Sequence, residues 1–312
     1  MKNILLFTDP GIDDSIAIMY ALLHPEINIV GIVSGYGNID KEQATNNVAY
    51  LLDLANQTSI PLIGGATRSC TGKYPIYYPE IHGKDGLGPL QPPDTIKGKL
   101  LNFSEIFKII ENHPDTIVVD VGRNTSLATA LILDENFEKK IKEFYIMGGA
   151  YFVPGNVTKL AEANFHGDPV ASNFVLGYLE NVTTIPLNVT NNAVITTEHI
   201  QMIKKQSNNP LISILDDVFD FYFKAYQELV PGINGAPLHD VVTLSILMNP
   251  DFGNFIKRKV KVQTCGEEKG QSLADFRVGS EQKEKNQQTK IYLTLDYQAF
   301  VNDFIKIMTN EG

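Results

Sequence analysis

Residues 4–14 read Ile-Leu-Leu-Phe-Thr-Asp-Pro-Gly-Ile-Asp-Asp, and this stretch decides the fold class. An apolar run enters a Pro-Gly turn, after which apolar residues recur with helical spacing as far as Leu23. The pattern predicts a strand, a tight turn and a helix. Asp9, Asp13 and Asp14 then lie at the carboxyl end of the strand and in the first helical turn, which is where open α/β sheets bind ligands.

These three carboxylates repel one another unless a positive charge lies between them. The positive end of the helix dipole offsets part of that repulsion, and a bound cation offsets more. Because oxygen ligands surround the stretch and no Cys or His is nearby, the pattern favours Ca²⁺ or Mg²⁺ over zinc. The alternative is an N-cap followed by an acidic first turn with no ligand.

Strand-like and helix-like segments alternate along most of the chain. The predicted strands after the first are residues 27–34, 60–64, 116–121, 143–147 and 182–187. The predicted helices are residues 41–55, 103–112, 126–133, 168–179, 197–205, 211–229 and 297–308. Near-continuous apolar strands in such an alternation indicate an α/β fold with a mostly parallel central sheet flanked by helices. Residues 257–295 carry short alternating strands, which predict a small β-rich C-terminal elaboration, and we expect residues 1–312 to form a single domain.

Composition narrows the function classes. The chain has 312 residues, of which 43% are hydrophobic and 20% charged, as in ordinary globular enzymes. The net charge of −10 and the lack of a basic stripe argue against a nucleic-acid partner. No apolar run approaches the roughly 20 residues of a membrane span, and the first apolar run is too short for a signal peptide. Cys70 and Cys265 follow no ligand spacing. We therefore expect a soluble cytoplasmic protein with free thiols.

Further polar clusters follow predicted strands or lie in long loops. They are Gly35–Asn38, His82–Gly88, Met147–Ala150, the set Asn156, Glu162 and Asn164, and the pair His239 and Asp240. A loop as long as residues 67–93 is typical of lids and binding loops, and amide and carboxylate groups suit sugar hydroxyls. The unperturbed pKa of His239 suits proton donation near neutral pH. Each cluster has an ordinary alternative, as a turn, a solvated histidine or a helix cap. The chain contains no nucleophilic-serine, Walker A or dinucleotide-binding motif.

Taken in order, these motifs resemble the inosine–uridine preferring nucleoside hydrolase family, over positions 9 to about 240. The resemblance implies a Rossmann-like core, a calcium-dependent N-ribohydrolase and a homodimer or homotetramer. It also implies a Ca²⁺ site formed by Asp9, Asp14, Asp240 and the backbone carbonyl of Val121. Two ribose hydroxyls and a water would complete about eight oxygens, and Asp9 would take the proton from that water.

The resemblance assigns the remaining residues to the nucleoside. Asp13 would hold the 2′-hydroxyl, Asn164 the 3′-hydroxyl, and Asn156 and Glu162 the 5′-hydroxyl. Asn38 would orient the water or a metal-binding carboxylate. His239 would protonate the departing base, a contribution typically worth ~10²–10⁴-fold, and His82 would close over it. Tyr222 and Tyr226 either line the base pocket or face the core.

Four departures from the family pattern bear on these assignments. Phe7 stands where an acid is frequent, Ala163 replaces an aromatic residue, Asn188 replaces an Asp, and Gly122–Thr125 differs at the helix entry. The departures at positions 7, 163 and 188 motivate an alternative function, a non-catalytic calcium-dependent protein that binds nucleosides or sugars. A magnesium-dependent phosphatase is a third hypothesis, but apart from Arg123 no cation near the acids could hold phosphate. The motifs leave the base preference open.

Overall fold

The computed structural model describes residues 1–93, 100–280 and 288–310. Its strands are β1 (Lys2–Thr8), β2 (Ile27–Ser34), β3 (Leu62–Gly64), β4 (Leu100–Leu101), β5 (Ile117–Asp120), β6 (Glu143–Met147), β7 (Val182–Ile185), β8 (Val194–Ile195), β9 (Ala236–Pro237), β10 (Phe255–Arg258), β11 (Val260–Val262), β12 (Ser272–Ala274) and β13 (Thr289–Tyr292). Its helices are α1 (Ile12–Leu23), α2 (Lys41–Leu54), α3 (Pro79–His82), α4 (Glu105–Asn112), α5 (Thr125–Leu133), α6 (Phe137–Lys140), α7 (Ala163–Gly167), α8 (Pro169–Tyr178), α9 (Leu187–Thr190), α10 (Thr197–Gln206), α11 (Pro210–Ser213), α12 (Leu215–Leu229), α13 (His239–Met248) and α14 (Tyr297–Met308). None of the helices in these ranges combines the length and apolar character needed to cross a membrane.

Nine of the described strands form one sheet, in the order β10-β13-β7-β6-β5-β1-β2-β3-β4. Every neighbouring pair is parallel except β10 with β13. The predicted mostly parallel sheet flanked by helices is therefore confirmed.

The first strand shows why its sequence is almost uniformly apolar. Ile4 and Leu6 pack into one hydrophobic cluster, whereas Leu5 and Phe7 pack into a second. Successive side chains of a strand point to opposite faces, so these two clusters lie on the two sides of the sheet. A strand that is buried on both faces needs apolar residues at both alternations.

The C-terminal region differs in part from its predicted form. Strand β13 joins the main sheet parallel to β7, and β10 then pairs antiparallel with β13 at the edge. Only β11 and β12 form a separate antiparallel pair, while residues 281–287 of this stretch lie outside the described residues. The sequence pattern detects short strands here, but their partners depend on packing against the rest of the sheet.

Two predicted segments have different bounds. The stretch expected to be one helix over residues 211–229 is two helices, α11 and α12, which meet at Ile214. The helix predicted over residues 168–179 is α8, and the short helix α7 precedes it.

The carboxyl ends of β6, β5, β1 and β2 meet at one edge of the sheet, because these four strands are parallel neighbours. Asp9 follows β1, the Gly35–Asn38 turn follows β2, and Val121 follows β5. The fold therefore brings the candidate site residues that follow these parallel strands together at one edge of the sheet.

Candidate functional site

Three buried carboxylates converge at this edge of the sheet. Asp13 and Asp14 lie in the first turn of α1, Asp240 lies in the first turn of α13, and the two helices pack together. One oxygen from each carboxylate lies within 4.8 Å of the others. Burial of negative charges this close to one another is costly unless a cation or protons compensate them.

The charges of these three carboxylates, which we call the acidic cluster, are compatible with a bound metal ion. Burial raises the pKa of Asp240, and the neighbouring carboxylate of Asp13 raises it further. Burial and Asp14 act in the same direction on the pKa of Asp13. Among the described residues, no hydrogen-bond donor reaches Oδ1 of Asp13 or either carboxylate oxygen of Asp9. Partnerless buried oxygens and an all-oxygen donor set suit a hard cation, so this cluster could bind a metal.

Asp14 both caps helix α1 and belongs to the acidic cluster, two roles that the sequence left as alternatives. Its Oδ1 accepts hydrogen bonds from the Thr8 hydroxyl at 2.6 Å and from the Asp9 backbone N–H at 3.1 Å. Its Oδ2 accepts from Asn38 Nδ2 at 2.9 Å and from the Gly11 backbone N–H at 3.3 Å. The carboxylate thus closes the first turn of α1 and belongs to the acidic cluster at the same time.

Asp9 is buried nearby but is not part of the convergent group of three. Its carboxylate lies against Gly37, where any Cβ would overlap it. It lines a separate small cavity together with Phe7, Asp120 and Arg123. Burial and the charge of Asp14 raise the pKa of Asp9 well above its usual range.

A cavity of about 440 Å³ lies over the acidic cluster, within the usual size range of small-molecule sites. All the residues expected to form the site line this cavity except Asp9 and Asp14. The expected residues that line it are Asp13, Asn38, His82, Val121, Asn156, Glu162, Asn164, Tyr222, Tyr226, His239 and Asp240.

One wall of the cavity consists of amide and carboxylate groups that hold one another in position. Glu162 caps α7, because its carboxylate accepts hydrogen bonds from the backbone N–H groups of Asn164 at 2.6 Å and Phe165 at 3.0 Å. Asn164 Nδ2 donates to the Val121 carbonyl at 2.9 Å. Asn156 Oδ1 accepts from the Ala163 backbone N–H at 2.9 Å. These side chains therefore have local structural partners before any ligand binds.

Two hydroxyl groups hold the imidazole ring of His239 in position. Its Nδ1 lies 2.8 Å from the Thr190 hydroxyl, and its Nε2 lies 2.8 Å from the Tyr226 hydroxyl. The Tyr222 hydroxyl donates to that of Tyr226 at 3.5 Å. Burial lowers the pKa of His239 to about 4, so the imidazole is neutral at neutral pH. Both tyrosines, which the sequence could place in the core or in the pocket, line the cavity.

His82 lies in the short helix α3 and packs against the start of α1. Its Nδ1 accepts a hydrogen bond from the Ile12 backbone N–H at 3.1 Å and lies 3.9 Å from Asp13 Oδ1. Burial lowers its pKa to about 3, and the charge of Arg123 acts in the same direction. A neutral, hydrogen-bonded ring in this position contacts the cavity without any loop movement.

The main residue that the sequence analysis did not assign to the site is Arg123. Its buried guanidinium donates from Nη1 to Asn164 Oδ1 at 2.9 Å. Burial alone would lower the pKa of Arg123, but the negative charges of Asp9 and Glu162 help to outweigh that effect and keep the group charged. Its position three residues after the end of β5 was the available signal. Tyr78, which lines the cavity of about 440 Å³, had no such signal.

Three of the four departures from the family pattern have a clear structural setting. Phe7 is buried in the core and is the register partner of Asp120 on β5, so an acid lies beside this position on the neighbouring strand. Asn188 does not line the cavity, and its Nδ2 donates to the Tyr292 carbonyl at 3.2 Å near the end of β13. Ala163 lines the cavity, where its small side chain leaves space.

Comparison with known proteins gives a consistent result. The model of the family described as inosine-uridine preferring nucleoside hydrolase matches residues 4–302. Uridine nucleosidase 1 of Arabidopsis thaliana is 32% identical over 279 residues, covering 88% of this chain and 82% of that protein. The pyrimidine-specific ribonucleoside hydrolase RihA of Escherichia coli O8 is 34% identical over 277 residues, which is 88% of each protein. The solved structure of a purine-preferring ribonucleoside hydrolase from Gardnerella vaginalis superposes with a TM-score of 0.90 at 26% identity, covering 99% of this chain and 98% of that one. The chain therefore belongs to the inosine-uridine preferring nucleoside hydrolase family.

Proposed function

We propose that this member of the nucleoside hydrolase family breaks the N-glycosidic bond of ribonucleosides with water, releasing free base and ribose. The observation that carries the proposal is the convergence of Asp13, Asp14 and Asp240 at the base of a cavity of nucleoside size. A cluster of buried carboxylates can stabilise the positive charge that develops on the ribose as the bond to the base breaks.

The proposed cofactor is Ca²⁺, held by Asp9, Asp14, Asp240 and the backbone carbonyl of Val121. The partnerless oxygens of Asp9 and the raised pKa of Asp240 support a cation at this position. When bound, the ion would neutralise the carboxylates and lower the pKa of a nearby water. Calcium suits the proposal because it accepts many oxygen ligands in irregular geometry.

Asp9 is the proposed general base. Both oxygens of its carboxylate are buried without a hydrogen-bond partner in the described part of the chain, so they are available to accept a proton from a water molecule. In the reaction, the water loses a proton to Asp9, its oxygen bonds to C1′, and the C1′–N bond electrons leave with the base.

The cavity wall formed by Asn156, Glu162 and Asn164, which we call the polar wall, is proposed to bind the ribose. Asp13 would accept a hydrogen bond from the 2′-hydroxyl through its partnerless Oδ1. Asn164 would contact the 3′-hydroxyl, and Asn156 and Glu162 the 5′-hydroxyl. Since these side chains are already fixed by hydrogen bonds to the backbone, they lose little conformational freedom when the sugar binds.

The departing base is proposed to receive its proton from His239 through the hydroxyl of Tyr226. The 2.8 Å contact between them provides the path, and Thr190 at the other ring nitrogen holds the orientation. Because the resting imidazole is neutral, His239 takes up a proton from solvent, and the pair then passes one proton to the base, which leaves the imidazole neutral again. Tyr222 and His82, whose ring centroids lie 5.9 Å apart, would pack against the base.

Release of reducing sugar from uridine, cytidine, inosine, adenosine and guanosine tests the proposal. We expect turnover in Ca²⁺ that disappears both after chelation with EGTA and in Asp9→Ala. The exposed Asp251→Ala serves as the matched control and should retain turnover. The panel includes purines and pyrimidines because the relatives named above act on both classes.

The same assay separates the alternative function. A wild-type protein that binds nucleosides and Ca²⁺ tightly but releases no sugar from any of the five would be a binding protein. The match of the family model to residues 4–302 and the presence of a candidate base and proton relay favour catalysis.

We also propose that the chain acts as one α/β unit in a cytoplasmic homodimer or homotetramer. Cys70 and Cys265 are both exposed free thiols, which fits a reducing compartment. Size-exclusion chromatography with light scattering measures the oligomeric state directly, and a monomeric mass would contradict this assignment.

A further inference from the structure

A second cavity, of about 340 Å³, lies beside the proposed nucleoside site and has the opposite electrostatic character. Four basic side chains line it: Lys73, Arg123, His166 and Lys269. None of the described residues that line it is an Asp or a Glu, and the nearest acids, Asp168 and Glu268, lie behind the lining. Lys73, Arg123 and Lys269 are cations in a chain whose net charge is −10, whereas burial and the charge of Lys269 lower the pKa of His166. We call this cavity the basic cavity.

Hydroxyl groups complete its lining. Ser69 and Thr71 are 2.9 Å apart through their hydroxyl oxygens, and Tyr36 and Tyr78 contribute phenol groups. A phosphate group is recognised by this combination, because its oxygens accept hydrogen bonds from guanidinium, ammonium and hydroxyl donors together.

Arg123 is the fixed element of the basic cavity. The described structure gives its guanidinium one hydrogen bond, from Nη1 to Asn164, so other N–H donors of this buried group remain available to a ligand. The side chain crosses the end of α7 at Gly167, where a Cβ would overlap it. The guanidinium is therefore held in place before an anion binds.

Neighbouring acids balance these positive charges in part, since Asp9 and Glu162 act on Arg123 and Asp168 acts on Lys269. In the described ranges, none of the four basic side chains forms an ion pair with a carboxylate. Asp168, which lies near Lys269, accepts hydrogen bonds from the Cys70 backbone N–H at 2.7 Å and the Thr125 hydroxyl at 2.7 Å instead. Burial lowers the pKa of Lys269, and the charge of Lys73 lowers it further. A bound anion would relieve that repulsion.

From this cavity we infer a phosphate-binding site next to the ribose end of the nucleoside site. Two contacts connect the sites: Tyr78 lines both cavities, and Arg123 donates to Asn164 of the polar wall. The ligand is a phosphate group, either carried on the ribose of a substrate or present as free inorganic phosphate. The site itself does not depend on the proposed reaction.

Calorimetric titration of inorganic phosphate and ribose 5-phosphate into the full chain, in chloride buffer, tests the site. We expect saturable binding by the wild-type protein. In the double variant Lys73→Ala/Lys269→Ala, the dissociation constant should rise at least about tenfold, because charge-assisted contacts to phosphate are lost. Lys257→Ala/Lys261→Ala removes two exposed lysines of β10 and β11 and should bind phosphate like the wild type.

Rates with uridine and with uridine 3′- and 5′-monophosphates identify the source of the phosphate. If the substrate carries it, the cavity double variant loses kcat/KM for a monophosphate while keeping that for uridine, and inorganic phosphate competes with the monophosphate. If the ligand is free phosphate, it binds without competing and the monophosphates are not hydrolysed.

Two results would overturn the inference: no binding of either phosphate probe at millimolar concentration, or binding that the cavity double variant leaves unchanged. A protein that hydrolyses nucleosides but binds no phosphate refutes only this site. One that binds phosphate but releases no base refutes only the proposed reaction.

Discussion

The acidic cluster and the basic cavity lie at the same edge of the sheet, yet they are assembled in different ways. Asp13 and Asp14 are sequence neighbours in one helical turn, joined by Asp240 from the start of a second helix. The basic side chains come from four separate segments, at residues 73, 123, 166 and 269. The two regions meet at a layer of residues that belongs to both, where the positive charge of Arg123 lies near the negative charges of Asp9 and Glu162.

That layer contains Arg123, which contacts both regions. Its guanidinium is bonded to Asn164 of the polar wall and also lines the basic cavity. Each region also has a glycine that admits a buried charged side chain: Gly37 lies against the Asp9 carboxylate, and Gly167 lies against Arg123. Both charged side chains therefore need a backbone that approaches them closely, which a glycine at each position allows.

The largest effect is expected from Asp240→Asn, which removes one convergent carboxylate. Calcium affinity and kcat/KM for nucleosides should each fall at least about 100-fold, because even residues that only support a metal ligand cost about 10–100-fold. Calcium titration and initial rates measure the two quantities, with the exposed Asp251→Asn as the control. Undiminished calcium affinity would show that the acidic cluster is not the metal site.

Asp9→Asn should separate proton transfer from metal binding. We expect kcat to fall by about 10²–10⁴-fold, the usual contribution of a general base. Calcium affinity should fall less than in Asp240→Asn, because the Asp9 carboxylate lies outside the convergent group. Because Asp9 is also a proposed calcium ligand, kcat is measured at saturating Ca²⁺. A kcat that saturating Ca²⁺ restores would show that Asp9 acts as a ligand and not as the base.

Arg123→Lys tests whether the layer between the regions depends on shape as well as charge. A lysine keeps the positive charge but lacks the planar fork, so the hydrogen bond to Asn164 should be lost or weakened. Hydrogen bonds to charged groups contribute about 1.5–3 kcal/mol, which corresponds to roughly 10–100-fold in kcat/KM. Kinetics with uridine measure the effect, and Arg277→Lys on the exposed surface is the control. An unchanged KM and kcat would show that Arg123 does not position the polar wall.

The smallest effect concerns Gly167→Ala, where the added methyl group would overlap Arg123. Overpacking typically costs about 1–3 kcal/mol, so the free energy of unfolding should fall and phosphate binding should weaken. Gly177→Ala in α8 is the matched control, because its Cβ meets no neighbouring atom and alanine is favoured in helices by about 0.5–1 kcal/mol. Urea unfolding compares the two; equal stabilities would show that α7 yields freely around Arg123.

Much of the fold could be predicted because its signals are local. The apolar run of β1 and the helical spacing after it predict adjacent elements, and repeated alternation predicts the parallel sheet. The C-terminal strands were harder, since β13 joins the main sheet while β11 pairs with β12. Strand partners at an edge depend on long-range packing that short alternating segments do not encode.

The functional site, like the fold, could be predicted only where its signals are local. The motif around Asp9 predicted an oxygen-rich site, but not that Asp14 would cap α1 while Asp9 lay apart from the convergent group. Glu162 and Asn164 were predicted as sugar ligands, and their hydrogen bonds within the protein could not be foreseen. Side-chain direction depends on which neighbours the tertiary structure supplies.

The sequence by itself determined the acidic turn, because two adjacent carboxylates in the first turn of a helix stay together wherever that helix lies. It also determined which parallel strands would end in polar residues. Only the tertiary structure decided that Asp240 would join the acidic turn and that Lys73, Arg123, His166 and Lys269 would share a cavity. The physical reason is that helix and strand geometry fixes distances over a few residues, whereas the strand order and the packing of loops bring distant segments into contact.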